Sequence, residues 1–573
     1  VTTSDCAGTL HLPLEYRYAA DFRYVFEVRG VRRAARGRDR DAVIEAQSVV
    51  LGYDGLDHVA RRTRIGFDHP PDAIRQDWCR FDLTLPRGEP FALETTISCD
   101  SGGAYFCVTS HSASVGAADR EVAADRASRA QVWTDNEQFN DWVNRSAADL
   151  QMLVTTTRYG PYPYAGVPWF STPFGRDGLI TALQLLWAQP SLARGVLSFL
   201  AATQADYYDP AAEAEPGRIL HELREGEMAA LGEVPFRRYY GTVDATPLFV
   251  MLAGRYYRRT GDRAFVEALW PHVERALDWV AGNVRAYGFL SYARHGGKGL
   301  VQQGWKDSDD SVFYRDGSAV VPPIAMCEVQ GYAWEAWQRG AEIADLLGHP
   351  DKAAAWRAAA DDLAARFEQR FWLEELQTYA LALDGRGQPC AVRSSNPGHL
   401  LYCGMIDAGR AMRVARGLAA PPSFNGWGLR TLAEGEARYN PMSYHNGSVW
   451  PHDTALGAAG MARYGFKDEA LALTEGLFNA SVYFDLHRLP ELFCGFDRLP
   501  GQGPTHYPVA CAPQAWASGA VFMLVDALLG LSFDPRRKRI NLYHPRLPGY
   551  MNWMRVSGLT HLGSAIDIIV HRH

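Results

Sequence analysis

At 573 residues the chain exceeds the ~250–300 at which a single hydrophobic core usually stops growing, so at least two domains are expected. Its formal charge of −7 is dispersed, with arginines scattered among acids and no cationic stripe, which excludes a surface built to neutralise a nucleic-acid backbone. No window holds the ~18 consecutive apolar residues of a spanning helix; the longest apolar stretch near the end, "SGAVFMLVDALLGL", is interrupted by Asp526 and reads as a buried globular helix, so no membrane partner is expected.

The opening "VTTSDCAGTL" has neither an initiator methionine nor a basic stretch followed by an apolar one, so no signal peptide is visible, although Val1 as a trimmed start would hide one. Residues 1 to about 115 alternate and favour strand in "TLHLPLEYRY", "YVFEVRG", "AVIEAQSVVLGY", "RRTRIGF", "CRFDLTL" and "FALETTIS". Gly, Pro and Asp at hairpin-like intervals predict an antiparallel β-sandwich domain over 1–125. Near residue 136 the period changes to every third or fourth position. Helices are predicted near 137–154, 177–188, 191–206, 246–260, 263–283, 323–347, 350–371, 406–417, 425–433, 448–464, 467–479 and 512–530. Short turns such as "YRRTGDR" and "LLGHPDK" pair several of them into antiparallel hairpins. Twelve helices in hairpins predict a mainly α chain whose domain 126–532 is an (α/α)6 toroid, with a short β segment over 533–573; an irregular all-α array is the alternative. The nine cysteines, Cys6, Cys79, Cys99, Cys107, Cys327, Cys390, Cys403, Cys494 and Cys511, contain no CxxC pair. That argues against a zinc site and a disulfide framework, and places the chain in a reducing cytoplasm.

Long aromatic loops on a helical scaffold are uncommon unless they do something. In "QQGWKDSDDSVF" a calcium loop counted from Asp307 would need Gly at the sixth and Glu at the twelfth place, where Val312 and Ser318 stand. A solvated turn is the plain alternative; Trp305, two residues before Asp307, points instead to a carboxyl beside an apolar wall, raised in pKa and ready to donate a proton. Glycoside hydrolysis needs a second carboxyl, and "HRLPELFCGF" offers Glu491 after Pro490 among apolar residues, with a helix-start glutamate as the alternative. Sugar hydroxyls suit a fork of donor and acceptor: "STPFGRDGLI" supplies Arg176 and Asp177, otherwise a structural salt bridge. "YYGTVDATP" adds Tyr240 and Asp244, otherwise an N-cap. "CEVQGY" sets Glu328 and Tyr332 four apart on one helix face, otherwise an interior pair. "SYHNGSVWPHD" offers His445, Asn446 and Trp450 as pocket residues, with a satisfied buried histidine as the alternative. There is no HExxH, phosphate loop, dinucleotide fingerprint or GxSxG elbow.

Taken in order, "STPFGRDGLITALQLLW", "YGTVDATPLFV", "GWKDSDDSVF", "CEVQGY", "YHNGSVWPHD", "RLPELF" and "YPVACAPQAWASGA" closely resemble the bacterial glycogen-debranching-type proteins of the amylo-α-1,6-glucosidase family. "FEVRGVRR" and "LGYDGLDHVARRTRIGF" resemble the β-sandwich that precedes their toroid, and the likeness runs over essentially the whole chain. The resemblance implies an (α/α)6 glycosidase with Asp307 as general acid and Glu491 as general base, Arg176 and Asp177 gripping the terminal sugar, and Trp305, Tyr240, Asp244, Glu328, His445 and Trp450 around the pocket. It also implies only the glucosidase step, since the barrel that carries the transferase of the eukaryotic enzyme has no counterpart. Relatives usually carry more strand before "GTLHLPLEYRY" and after "IDIIVHRH", so both terminal β regions are expected to be clipped.

The expected function is an inverting exo-α-glucosidase acting on α-1,6 linkages of an oligosaccharide, or another α-linked small glycoside, without cofactor or metal. A toroid-fold sugar epimerase, in which His445 and His452 would be central, and a glycan-binding scaffold without turnover are the rivals.

Overall fold

The structure is a computed structural model that describes residues 8–102 and 109–572. It is 38% helix and 21% strand, so the chain is mixed rather than mainly α: strand dominates the first unit, and short ribbons fill the loops between the helices of the second. The chain divides into two compact units, one formed by the described residues up to Ala124 with Glu225–Arg237, the other by Asp125–Arg224 with the described residues from Arg238 onward. Cys6 and Cys107 lie outside the described residues, and among the described residues no disulfide joins the other seven cysteines.

The first unit holds two antiparallel sheets. Strands β1 (Leu10–Arg17), β2 (Arg38–Glu45), β3 (Ser48–Asp54), β4 (Ala60–Phe67), β5 (Ala73–Ile74), β6 (Trp78–Leu85) and β7 (Thr95–Ser101) order themselves as β2-β3-β4-β7 and β1-β6-β5. Alternation along β6 buries Cys79, Phe81, Leu83 and Leu85, which join Val49, Ile65 and Phe67 of the other sheet in one apolar cluster. That interleaving of two inner faces is sandwich packing. Sequence reading placed residues 225–237 among the helices; they group with the sandwich because Glu227 accepts hydrogen bonds from Arg33 at 2.9 Å, the Tyr53 hydroxyl at 2.8 Å and the Leu56 N–H at 2.6 Å.

Twelve helices of seven residues or more lie wholly in the second unit: α1 (Glu137–Leu153), α2 (Gly175–Leu185), α3 (Pro190–Ala202), α4 (Ala245–Thr260), α5 (Arg263–Tyr287), α6 (Cys327–Leu347), α7 (Pro350–Arg370), α8 (Pro397–Cys403), α9 (Ala408–Leu418), α10 (Pro451–Arg463), α11 (Lys467–Ser481) and α12 (Ala515–Leu529). The even-numbered helices follow one another in a closed cycle: α2 packs on α4, α4 on α6, α6 on α8, α8 on α10, α10 on α12, and α12 back on α2. Each odd-numbered helix packs chiefly on one member of that cycle: α1 on α12, α3 on α2, α5 on α4, α7 on α6, α9 on α8 and α11 on α10, while α3, α5 and α11 also touch α4, α6 and α12. Sequence follows position. Every residue of α2 is buried, whereas α7 buries only Ala353, Ala360, Leu363 and Phe367 along one stripe.

The predicted helix at 425–433 does not form. The Asn425 side chain accepts the N–H groups of Trp427 and Gly428, and Arg430 and Leu432 bridge to Val449 and Ser394 as extended chain. In its stead α8, which sequence reading passed over, completes the twelve. The described residues from 533 onward pair back on the start of the second unit, with Trp553–His561 antiparallel both to Gln131–Thr134 and to Ser564–His571.

One buried ion pair ties α4 to α6. Glu335, 1% exposed, takes both guanidinium nitrogens of Arg255 at 2.8 and 2.7 Å. Burial alone would push its carboxyl up, but Arg255 overcomes this and holds it down at about 2. Removing one member of such a pair strands the other, so Glu335→Ala is expected to lose about 3–5 kcal/mol in denaturant unfolding at pH 7. A loss below 1 kcal/mol would show that the pair adds nothing to this contact.

Candidate active site

The chemistry-bearing side chains gather at the first turns of the even-numbered helices. Arg176 and Asp177 open α2, Asp244 precedes α4, Glu328 opens α6, His399 lies in α8, His452 and Asp453 open α10, and Gln514 precedes α12. Helix N-termini carry unpaired N–H groups and a partial positive charge, so a cycle of them favours anionic groups. Gly175 allows the first of these turns: a Cβ there would stand 1.8 Å from the Leu220 carbonyl oxygen.

Arg176 is the hub. Its Nη1 donates to both oxygens of Asp244 at 2.9 and 3.2 Å, and its Nη2 donates to Asp307 Oδ2 at 3.2 Å. Thr242 also donates its hydroxyl to Asp244. Burial disfavours the guanidinium charge, yet Asp244, Asp307 and Asp177 together hold it above its ordinary value, so it stays a cation. Asp177 follows Arg176 in the first turn of α2 and is buried. It faces Gln514, whose Nε2 lies 3.4 Å away, and burial pushes it up to about 7, with Asp307 adding to the rise and Arg176 opposing it. Asp244, at an N-cap position, makes no cap hydrogen bond.

Glu491 sits in the loop between α11 and α12 rather than at a helix start. Its N–H donates to the Cys511 carbonyl at 2.8 Å, its Oε2 accepts the Cys511 N–H at 3.0 Å, and its Oε1 accepts the Tyr444 hydroxyl at 2.6 Å. Burial pushes this carboxyl up to about 7 against both of those donors, and Asp177 and Asp307 raise it further. Asp307 and Glu491 therefore act on the same neighbourhood, and the Tyr444 phenol, raised by burial, feels both.

The loop that carries Asp307 is fixed from three sides. Lys306 is buried and its ammonium donates to the Thr431 carbonyl; burial lowers it to about 8, countered by Asp453 and Glu328. His445 accepts the Ser308 N–H on Nδ1 at 3.2 Å, which puts its proton on Nε2, and burial keeps it neutral. Asn446 and Arg438 donate to the Asp310 carbonyl at 3.2 and 2.8 Å. Asp309 and Asp310 are the solvated acids of the stretch; Asp307 is one-third exposed.

Four of the residues expected around the pocket are buried. The Trp305 ring is 1% exposed and packs against His399, His445, Trp450 and His452, so the wall expected beside Asp307 is part of an aromatic core, and a guanidinium stands at the carboxylate. Trp450 belongs to that core too, stacked on His445 with its N–H on the Tyr444 carbonyl at 2.9 Å. Tyr240 is buried with its hydroxyl on the Thr203 carbonyl at 2.8 Å. Glu328 is fully buried, and burial pushes its carboxyl up; its helix neighbour Tyr332 pairs with His399 at 2.5 Å instead, and His399 reaches Asp453 at 2.8 Å. Sequence reading missed Tyr444, Lys306, Thr242, His399 and Asp453. All but His399 lay in stretches it had singled out, and nothing in spacing told them from their neighbours. Among the described residues no group of three or more His, Cys, Asp or Glu could hold a metal ion.

A model of the N-terminal domain of some glycogen debranching enzymes matches residues 5–96. The model of the mannosylglycerate hydrolase MGH1-like glycoside hydrolase domain matches residues 176–488, more than half of the chain, from Arg176 through Asp307; Glu491 lies three residues past its end. Among solved structures, a GH78 family rhamnosidase of Bacillus sp. GL1 is similar at 14% identity and a TM-score of 0.57, over 93% of this chain and 52% of that one. A sialidase is similar at 13% identity and a TM-score of 0.55, over 91% and 50%. This chain spans about half the length of those two, and at such identities they show the fold alone.

Because Glu491 is raised in the folded chain, the stability it contributes is complete below its ordinary value of 4.5 and is lost as pH rises through about 7. Glu491→Gln carries no such dependence. It is expected to unfold at a higher temperature than the parent at pH 8, by up to about 3 kcal/mol, with the gap closing at pH 5. A constant gap across that range would mean that Glu491 is not held near 7.

Proposed function

The chain belongs to the mannosylglycerate hydrolase MGH1-like glycoside hydrolase family, and we propose that it is an inverting, exo-acting α-glycosidase whose first substrate class is an α-1,6-linked glucoside. One observation carries the catalytic half of this reading: Asp307 and Glu491, 184 positions apart in sequence, raise and share one buried electrostatic neighbourhood centred on Arg176 and Tyr444. In the proposed step Asp307 gives a proton to the glycosidic oxygen while Glu491 takes one from the water that attacks the anomeric carbon on the opposite face. A base held near 7 is well matched to neutral pH. Arg176 sets the Asp307 carboxyl and pairs with Asp244; His445 acts through Ser308 as a positioning residue.

The closed cycle of six helices, each with a second helix packed on it, supports reading the scaffold as an (α/α)6 toroid. The glucosidic linkage is supported by the match of residues 5–96 to a domain of some glycogen debranching enzymes. A second substrate reading, a small α-glycoside such as mannosylglycerate, is supported by the family description itself. An epimerase gains no support: His445 is engaged by Ser308, and His452 is fully buried, stacked on Trp516 with ring centroids 3.7 Å apart.

A product screen on isomaltose, panose, branched limit dextrin and mannosylglycerate, read by the anomer first released, tests both halves. Hydrolysis of an α-1,6 glucoside with initial β-glucose is expected; release of α-sugar would rule out inversion, and turnover of mannosylglycerate alone would replace the substrate. Asp307→Asn and Glu491→Gln are each expected to lower kcat by about 10²–10⁴. In the pH profile of kcat/KM, the acid limb is expected near pH 7. Asp177→Asn removes a charge that raises Glu491, so that limb moves to lower pH. An unmoved limb would assign it to another group.

A further inference from the structure

Lys306 stands next to the proposed general acid in sequence and carries a charge where charge is costly. The residue is 2% exposed, and among the described residues its ammonium forms no ion pair and has one hydrogen-bond acceptor, the Thr431 carbonyl. A buried ammonium without a contacting carboxylate is unfavourable, and an apolar chain of the same length would fill the space at lower cost. Charges held against such a cost gather at functional sites.

What keeps the charge there is a field rather than a contact. Burial disfavours the ammonium, while Asp453 and Glu328, in the first turns of α10 and α6, and Cys327 beside Glu328 favour it. Each of the two acids has one buried oxygen without a partner, Asp453 Oδ2 and Glu328 Oε1. A Cβ on Gly304, two residues before Lys306, would stand 3.7 Å from that Glu328 oxygen, so the chain leading to Asp307 lies on the first turn of α6. The ammonium also lies over the Trp305 ring, 5.1 Å from its centroid.

The anchor reaches the acid along a short path. The Lys306 carbonyl accepts the Ser311 hydroxyl, and the Ser308 N–H donates to His445 at 3.2 Å, so the residues on both sides of Asp307 are tied down. Thr431 is fixed in turn: its N–H donates to the Ser448 carbonyl at 2.9 Å, its hydroxyl accepts the Gly447 N–H at 2.9 Å, and its carbonyl also accepts the Ser395 N–H at 3.2 Å. A misplacement of about 1 Å in a reacting group can cost about 10²-fold in rate.

We propose that Lys306 is a positioning residue for proton donation: its ammonium pins the loop at Thr431 so that Asp307 reaches the glycosidic oxygen. The proposal rests on Asp307 as general acid. In that step the Asp307 proton passes to the glycosidic oxygen as its bond to the anomeric carbon breaks, and water adds to that carbon and gives a proton to Glu491. Lys306 therefore matters in proportion to the leaving group's need for a proton.

The test compares isomaltose, whose sugar leaves as an alcohol and needs that proton, with α-glucosyl fluoride, whose fluoride departs as an anion with little help. Mannosylglycerate and α-mannosyl fluoride take their places if the product screen selects that glycoside. Lys306→Met is expected to lower kcat on the glycoside by about 10–10²-fold with KM within about threefold, and to lower kcat on the fluoride by less than about threefold. Lys306→Gln is the second variant should the first fail to fold, and Asp307→Asn is the reference. Equal losses on both substrates, or no loss on the glycoside, in the Lys306 variant overturns the proposal. If Asp307→Asn spares the fluoride and the Lys306 variant does not, the proposal fails alone. If Asp307→Asn loses both substrates equally, or the parent hydrolyses neither pair, the catalytic reading fails and the proposal with it.

Discussion

Four carboxyls share one buried guanidinium. Arg176 is held by Asp244 and Asp307, Asp177 follows it in sequence, and Glu491 lies within reach of their field. The other nearby cation, Lys306, spends its ammonium on a carbonyl. A water-poor hollow does not tolerate unpaired charge, and four ionised acids around one arginine would leave a large excess of it. The cluster answers by holding protons: burial and mutual repulsion push both Asp177 and Glu491 up to about 7. Such groups titrate together, and the apparent values belong to the set rather than to one residue. The helix cycle makes this possible, because its first turns present partial positive charge and unpaired N–H groups where the acids collect.

Acid–base hydrolysis asks for a proton and a base in one place at neutral pH, and a cluster that retains a proton there provides both. Selection of the proton donor then depends on geometry more than on an apolar wall. The Asp307 carboxylate is aimed by Arg176 from one side and by the His445–Ser308 contact from the other, while the tryptophan beside it in sequence stiffens the floor. Tyr444 and the Cys511 N–H fix both oxygens of Glu491. Asp307 and Glu491, the proposed catalytic pair, are thus each held by fixed neighbours, which is what precise placement requires.

Much of this was legible in the chain. The switch from period 2 to period 3.6 near residue 136 marks the start of the helix cycle, although an 18-residue helix that sequence reading passed over, His111–Ser128, precedes it, and the loops rich in Trp, Gly and Pro are where the acids meet. The failures are equally physical. "NGWGLRTLA" has helical spacing, but Asn425 closes a turn on its own backbone; α8 is too short to show a period at all. Trp305, Trp450 and Tyr240 stand beside functional residues in sequence, yet alternate sides of a loop face opposite ways, and their large apolar surfaces went to the core. The partners of Arg176 come from loops 68 and 131 residues away, a pairing that no local pattern encodes.

The measurement that tests the central claim most directly is a crystal structure of Glu491→Gln with an uncleaved α-glycoside bound. The account predicts one sugar ring between residues 307 and 491, with their side-chain carboxyl and amide about 6.5–9.5 Å apart and a water on the face opposite the leaving oxygen. A separation near 5 Å, or a sugar bound where only one of the two can reach it, would contradict the account.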